Sequence, residues 1–435
     1  MAVPHSVLED TEHRRHLRRA VLASTIGTAI EWYDFFLYST VTGLVFAPLF
    51  FPHADRLTGT LEAFAVYAVG FAARPIGAAI FGHYGDRLGR KAALIATLLL
   101  MGIATFLVAF VPTYARVGIW GALILTLLRF VQGIGVGGEW GGSVLLAMEW
   151  ARTNQHRGYI ASWPQFGVPA GLFLANLAVF AFSGFSGARF IEWGWRVPFL
   201  LSGVLIAVGM YIRLGILETP VFARLAAERR IERAPVLEAI RRQPREIVLT
   251  ALCRVGEQAP FYISSAFVFA YGTAALHLDR DFMLKALLTA TVISFVAIPL
   301  SGHLSDRYGR RRIYMLGAAL TGVYGFVYFG LLDTRHSGLV FLAIALSLLP
   351  HDVMYGPQAA LIAESFPARV RYSGASLGYQ LSSVIAGGPA PLVATWLLAR
   401  YHSGTPIAVF ILVCALVSVV STTMLKDYTN RDPAQ

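Results

Sequence analysis

The sequence predicts an all-α membrane protein, with twelve transmembrane helices in two pseudo-symmetric six-helix bundles and both termini cytoplasmic. Three observations carry this reading. Of 435 residues, 56% are hydrophobic and only 14% are charged, about half the charge of an ordinary soluble domain. The apolar residues gather into stretches of about 20, the length that crosses a bilayer as a helix. A ten-residue motif also recurs at a spacing of 220 residues, once in each half of the chain. The same composition argues against a soluble domain, a disordered chain or a disulfide framework. The two cysteines, Cys253 and Cys414, sit inside apolar stretches and read as packing residues.

The spans are placed near 20–45, 60–82, 92–111, 117–142, 158–182 and 196–216, then 247–272, 284–303, 312–332, 338–362, 372–397 and 405–425. With the N-terminus inside, the cytoplasmic segments hold 24 Lys and Arg and the outer loops 7. That asymmetry sets both termini inside by the positive-inside rule. The net charge of +11 is therefore topological, and nucleic-acid binding is not expected. Arg14, Arg15, Arg18 and Arg19 precede a segment that contains Glu31 and Asp34; this reads as a first span, not a cleavable signal peptide. The organisation is a cytoplasmic segment 1–19, a bundle 20–217, a cytoplasmic linker 218–246, a bundle 247–425 and a short tail 426–435. Within the linker, Pro220, Pro235 and Pro244 separate segments suited to short surface helices.

The repeated motif runs from Gly82 to Lys91 after the second span and from Gly302 to Arg311 after the eighth. The two copies share Gly, His, Asp, Arg, Gly and Arg at matching positions. A weaker echo opens the fifth and eleventh spans, at Arg157–Ser162 and Arg371–Ser376. Such internal symmetry marks transporters built from two similar halves. Glycines allow a tight turn, while Asp86, Arg87 and Arg90, and in the second copy Asp306, Arg307 and Arg310, can pair with neighbouring helices. Their candidate partners are Glu149 and Glu364, at the ends of the fourth and tenth spans. Together these residues are expected to latch the cytoplasmic side as a gate.

These residues carry a family resemblance. The duplicated G-x-x-x-D-R-x-G-R-[KR] loop is similar to the signature of the major facilitator superfamily. The stretch Ala23–Tyr38 in the first span, Arg129–Gly142 in the fourth and Glu364–Arg371 after the tenth resemble its metabolite:proton symporter branch. The resemblance spans residues from about 20 to 425. It implies an alternating-access carrier of the bacterial inner membrane that uses the proton gradient to import a small polar metabolite. Branch members similar at these motifs take up proline and betaine, shikimate, citrate or 2-oxoglutarate. Osmosensing betaine and proline members continue into a long coiled-coil tail, whereas this chain stops at Gln435, which weighs against an osmosensor. Gln165–Gly171 also departs from the glycine-proline stretch of drug antiporters, so import is favoured over efflux.

Charges within spans are costly and read by default as functional. Counting 1.5 Å per helical residue, Glu31, Asp34, Arg74, Arg129, Arg254 and Glu257 all fall near the middle of the bilayer, where carriers of this architecture bind substrate. Glu31, Asp34 and Tyr38 share one helix face, as do Arg254, Glu257 and Phe261. An arginine stays charged and offers a planar fork to a carboxylate. Arg254 is the first choice for that clamp and Arg129 the second. Buried carboxylates can exchange protons near neutral pH, which makes Glu31, Asp34 and Glu257 the proton-coupling candidates. Arg74 is assigned to a structural ion pair with Glu31 or Asp34. Tyr38, Gln165, Tyr379 and Gln380 are candidates to line the substrate cavity, and His351 with Asp352 to join proton transfer. Glu139, in a glycine-rich helix, reads as a packing or gating residue.

No metal-ligand spacing, Walker loop or dinucleotide loop appears, so no cofactor is expected beyond the proton as coupling ion. The expected activity is proton-coupled symport of a small organic acid by a monomeric carrier that is not an enzyme, its partners being an anionic small molecule and the lipid bilayer. The alternative is uptake of a zwitterionic osmolyte such as betaine or proline.

Overall fold

The computed structural model describes residues 10–53, 56–151, 156–228, 232–274 and 276–426. The described residues are helical, with short turns between helices. In the first half, helices α1 (Asp10–Val41), α2 (Arg56–Leu88), α3 (Arg90–Val108), α4 (Trp120–Met148), α5 (Arg157–Ser186) and α6 (Arg196–Leu214) follow one another. Two short helices, α7 (Pro220–Ala227) and α8 (Pro235–Arg242), make the connector, each opened by its own proline. The second half holds α9 (Pro244–Cys253), α10 (Val255–Tyr262), α11 (Val268–Ala274), α12 (Arg280–Tyr308), α13 (Arg310–Asp333), α14 (Ser337–Leu346), α15 (Leu349–Glu364), α16 (Arg371–Ser382), α17 (Pro389–Tyr401) and α18 (Thr405–Met424). Among the described residues, ten helices are long and apolar enough to cross a membrane. The helix α1 and the broken run α9–α11 are not among those ten; they are the stretches that carry Glu31 and Asp34, and Arg254 and Glu257.

Two departures from the expected spans have local causes. Helix α1 starts at Asp10 and not near residue 20, because the arginine-rich segment continues the helix beyond the apolar stretch. The expected seventh span is interrupted at Arg254, whose N–H bonds Ala251 O, three residues back, while Glu257 N–H bonds Arg254 O in the same tight register. Pro260 inside α10 removes a further backbone donor. A π-turn then follows at Ile263–Phe267, matching one at Thr42–Phe46 after α1. The two helices that correspond under the repeat are thus both distorted at the same level, as functional helices often are.

Small residues let the helices approach closely. A Cβ on Gly77 would lie 1.9 Å from Ile134 O and one on Gly137 2.1 Å from Arg74 O, so α2 and α4 pack backbone to backbone. In the second half Gly356 of α15 plays the same part against Ile298 O of α12. The repeated motif forms the turns α2–α3 and α12–α13, where Gly89 and Gly309 take φ of 108° and 96°. Only glycine adopts this conformation without strain, which explains its place in both copies.

Candidate functional site

Across the middle of the molecule, the second half gathers a chain of buried polar groups. The break at Arg254 turns its guanidinium inward. One terminal nitrogen lies 3.0 Å from Glu257 Oε2, and Nε donates to the same oxygen at 3.1 Å and to Gln358 Oε1 at 3.3 Å. The other terminal nitrogen donates to Tyr379 O at 2.6 Å, with the guanidinium carbon 3.2 Å above the Tyr379 ring. Glu257 Oε1 faces His351 Nε2 at 3.1 Å, and His351 Nδ1 faces Asp352 Oδ1 at 3.0 Å. Gln358 Nε2 also donates to Glu257 at 3.2 Å. Arg254, Glu257, His351 and Asp352 are all buried. The two residues expected in proton transfer and the preferred arginine clamp thus form one continuous network.

Tyr379 connects this network to the first half. Its ring stacks on Trp140 with centroids 3.7 Å apart and planes at 16°. Trp140 Nε1 donates to Gln165 Oε1 at 2.8 Å, and Gln165 Nε2 donates to Tyr355 O at 3.3 Å. Tyr355 and Tyr379 hydroxyls meet at 3.2 Å. Gln380 donates to Val136 O and Gly137 O at 3.4 Å, tying α16 to α4. A narrow cavity, with room for little more than a water molecule, lies between the halves, lined by Trp32 and Val168 from the first and by Glu257, Gln258, Phe261, His351, Tyr355 and Tyr379 from the second. Of the expected cavity residues, Tyr379 lines it; Arg254, Gln165, Gln380, Arg129 and Tyr38 are not among its walls.

Arg129 and Tyr38 belong to a separate cluster in the first half. The Arg129 guanidinium carbon sits 4.4 Å from the Tyr38 ring centre, and 4.7 Å from those of Phe35 and Tyr67. It also donates to Gln132, which in turn donates to Thr105 at 2.7 Å. Arg74 packs between Phe35 and Phe71, 4.5 Å from each ring centre. Among the described residues Arg74 makes no ion pair within 4 Å; its guanidinium lies in cation–π contact while its charge still acts on Glu31, the expected partner. Asp34 accepts a hydrogen bond from Ser202 at 2.6 Å; its second oxygen and Glu31 Oε2 have no hydrogen-bond partner among the described residues. Glu139, read from sequence as packing or gating, is paired with Arg213 and accepts from Thr97 at 2.6 Å and Ser143 at 3.0 Å. The 74-residue gap between Glu139 and Arg213 hid that pair, and its one sequence signal was two charges bordering apolar runs.

At the end bearing the repeated turns, each half grips a helix start of the other. Asp86 accepts from the N–H groups of Tyr372 at 3.3 Å and Ser373 at 2.9 Å, and from the Ser373 hydroxyl at 2.8 Å. Asp306 accepts from the N–H groups of Gly158 and Tyr159, both at 2.8 Å. Each carboxylate thus caps the positive end of α16 or α5 in the opposite half. Arg90 lies 3.3 Å from both Asp86 and Glu149, and Arg310 3.3 Å from Asp306 and 2.8 Å from Glu364. The Arg–Glu pairs therefore form as expected but stay within their own halves, and the aspartates cross. Arg87 and Arg307 point outward, Arg87 toward His83 at 3.3 Å and Arg307 over the Tyr308 ring; neither joins these bonds between the halves.

Similarity to known proteins decides the family. Residues 20–249 match the family described as sugar (and other) transporters, and residues 141–374 that described as MFS/sugar transport proteins. The chain belongs to the major facilitator superfamily. Its members are transporters, not enzymes. The inner membrane metabolite transport protein YhjE of Escherichia coli is 38% identical over 95% of this chain and 94% of its own. The shikimate transporter of the same organism is 38% identical over 96% and 97%, and its proline/betaine transporter 30% identical over 95% and 84%. The solved proton:xylose symporter XylE, bound to 6-bromo-6-deoxy-D-glucose, superposes with a TM-score of 0.77 at 18% identity over 95% of both chains, and so shares the fold. The protein is a multi-pass membrane transporter of this superfamily.

Proposed function

We propose that the chain imports a small organic acid together with protons, by alternating access across the bacterial inner membrane. The observation that carries this reading is the buried network Arg254–Glu257–His351–Asp352 beside a cavity between the halves. It joins a carboxylate-binding cation to groups that exchange protons. The names of the relatives support a metabolite cargo, and a shikimate transporter at 38% identity favours a carboxylate.

In this reading α1 and the run α9–α11 complete twelve spans, and the end with the repeated turns faces the cytoplasm because 24 basic residues crowd that side against 7 outside. Asp86, Asp306, Arg90, Arg310, Glu149 and Glu364 hold that side closed, so the substrate enters from outside. Arg254 takes the substrate carboxylate, with Tyr379 and, once the cavity widens, Gln165, Gln380, Tyr38 and Arg129 as further walls. Glu31 and Asp34, and Glu257 through the network it shares with His351, serve the exchange of the coupling protons. The site lies between two halves of one chain, which supports a functional monomer.

The proline/betaine relative keeps a second reading in play, uptake of a zwitterion. The test is external pH in a weakly buffered, energised suspension of cells expressing the protein, with shikimate, dicarboxylates, citrate, 2-oxoglutarate, betaine and proline added in turn. Alkalinisation on adding one carboxylate is expected. A response to betaine or proline alone would establish the zwitterion reading instead.

A further inference from the structure

His351 is placed between two carboxylates: Nε2 faces Glu257 Oε1 at 3.1 Å and Nδ1 faces Asp352 Oδ1 at 3.0 Å. A neutral imidazole carries one N–H and can donate to one of them. Two ionised carboxylates, one on each ring nitrogen, fit an imidazolium. With that proton the four groups Arg254, Glu257, His351 and Asp352 sum to zero charge; without it they sum to −1. Among the described residues, Glu257 and Asp352 are the charges that act directly on His351. Its ring stacks on Tyr355 at 4.9 Å and lies 5.0 Å from the Phe261 ring. From the packed elements, α10 contributes Glu257 and behind it Arg254, α12 contributes the Ser294 hydroxyl toward Asp352, and α16 contributes Tyr379. His351 and Glu257 both line the cavity between the halves.

Glu257 is shared by three donors: Arg254, His351 and Gln358. Arg254 is therefore not free. To take a substrate carboxylate it must leave Glu257, and an abandoned buried carboxylate is costly unless other donors hold it.

We infer that His351 carries the proton that couples to substrate, holding Glu257 when protonated so that Arg254 can transfer to the substrate carboxylate. This rests on the organic-acid reading and deepens it. A proton arriving from outside adds to the imidazole, giving two N–H donors for Glu257 and Asp352. Arg254 then exchanges one carboxylate for another at little cost. Loss of the proton to the cytoplasm returns Arg254 to Glu257, and the substrate is left beside a network with net negative charge and departs. One proton accompanies each substrate carboxylate through this network. The transfer involves a proton alone, and no bond of the substrate changes.

The test uses full-length protein in proteoliposomes with radiolabelled shikimate as probe, comparing wild type with His351→Gln, whose amide donates to one carboxylate as a neutral imidazole does but takes up no proton. Accumulation driven by an inward proton gradient should fall at least about tenfold, and by more than gradient-free exchange falls. Retained accumulation would overturn the inference, and so would loss of exchange together with accumulation, which would assign His351 to binding or structure. A second arm needs no substrate. Acid–base titration of the purified protein between about pH 5.5 and 10.5 should show one proton fewer in His351→Gln than in wild type. Equal titration would overturn the inference. If wild type moves none of the acids tried, the organic-acid reading fails while this titration still tests where the proton sits.

Discussion

Asp86 reaches across the molecule to Ser373, whose backbone N–H and hydroxyl both donate to its Oδ2, at 2.9 and 2.8 Å. Its counterpart Asp306 does the same to Gly158 and Tyr159. Two helix starts are thereby held by charges from the opposite halves. Charge-assisted bonds of this kind are each worth about 1.5–3 kcal/mol. Asp86→Asn should shift the closed side toward open by about tenfold or more. Spin labels on L88C and Y308C, both exposed positions at the ends of α2 and α12, read the change as a longer inter-half distance. The native Cys253 and Cys414 are buried and will label poorly. An unchanged distance distribution would show that the aspartate caps do not hold this side.

Glu139 and Arg213 form an ion pair with both side chains almost wholly inaccessible. Removing one partner leaves a buried charge, a loss of about 3–5 kcal/mol. Arg213→Ala should therefore lower the melting temperature sharply, and Glu139→Ala/Arg213→Ala together should be less damaging than the single change. Additive losses in this double-mutant cycle would show that the two groups do not interact.

Gly77 packs on Ile134 with no space for a methyl group. Gly77→Ala must push α2 and α4 apart, at a cost of about 1–3 kcal/mol. Reduced thermal stability in detergent is the expected result, whereas Gly330→Ala, where an added Cβ meets nothing within 4 Å, should be neutral.

Glu218 lies outside the membrane-crossing helices and caps α3, accepting from the N–H groups of Arg90 and Lys91 at 3.1 Å each. Burial raises its carboxyl above the ordinary value of 4.5, outweighing the hydrogen bonds and the Arg90 charge that lower it. The folded chain thus keeps a proton here that the unfolded chain has released. The stability contribution is full below 4.5 and is lost as pH rises through the folded value. Wild type should therefore lose stability relative to Glu218→Gln as pH rises above 4.5 and through the raised folded value. Melting curves at several pH values check this, and a constant difference would contradict it.

Much of the architecture was legible because it depends on local pattern. Apolar stretches, the duplicated turn with Gly89 and Gly309, and the pairing of Arg90 with Glu149 and Arg310 with Glu364 all leave sequence signals. Which partner crosses the interface was not legible. Asp86 binds backbone N–H groups, and backbone carries no residue signature. The same holds for Arg254, whose inward turn depends on a helix break at that residue. Arg74 is a mixed case: a buried cation suggested a carboxylate partner, and the fold set it against aromatic faces with its charge still acting on Glu31.

The most direct measurement is substrate-triggered alkalinisation by wild type and by Arg254→Ala, with both proteins quantified in the membrane. Wild type should alkalinise the medium on addition of one carboxylate, and Arg254→Ala at equal abundance should not respond. A full response from Arg254→Ala would contradict the assignment of Arg254 as the clamp and, with it, the account of how proton and acid are joined.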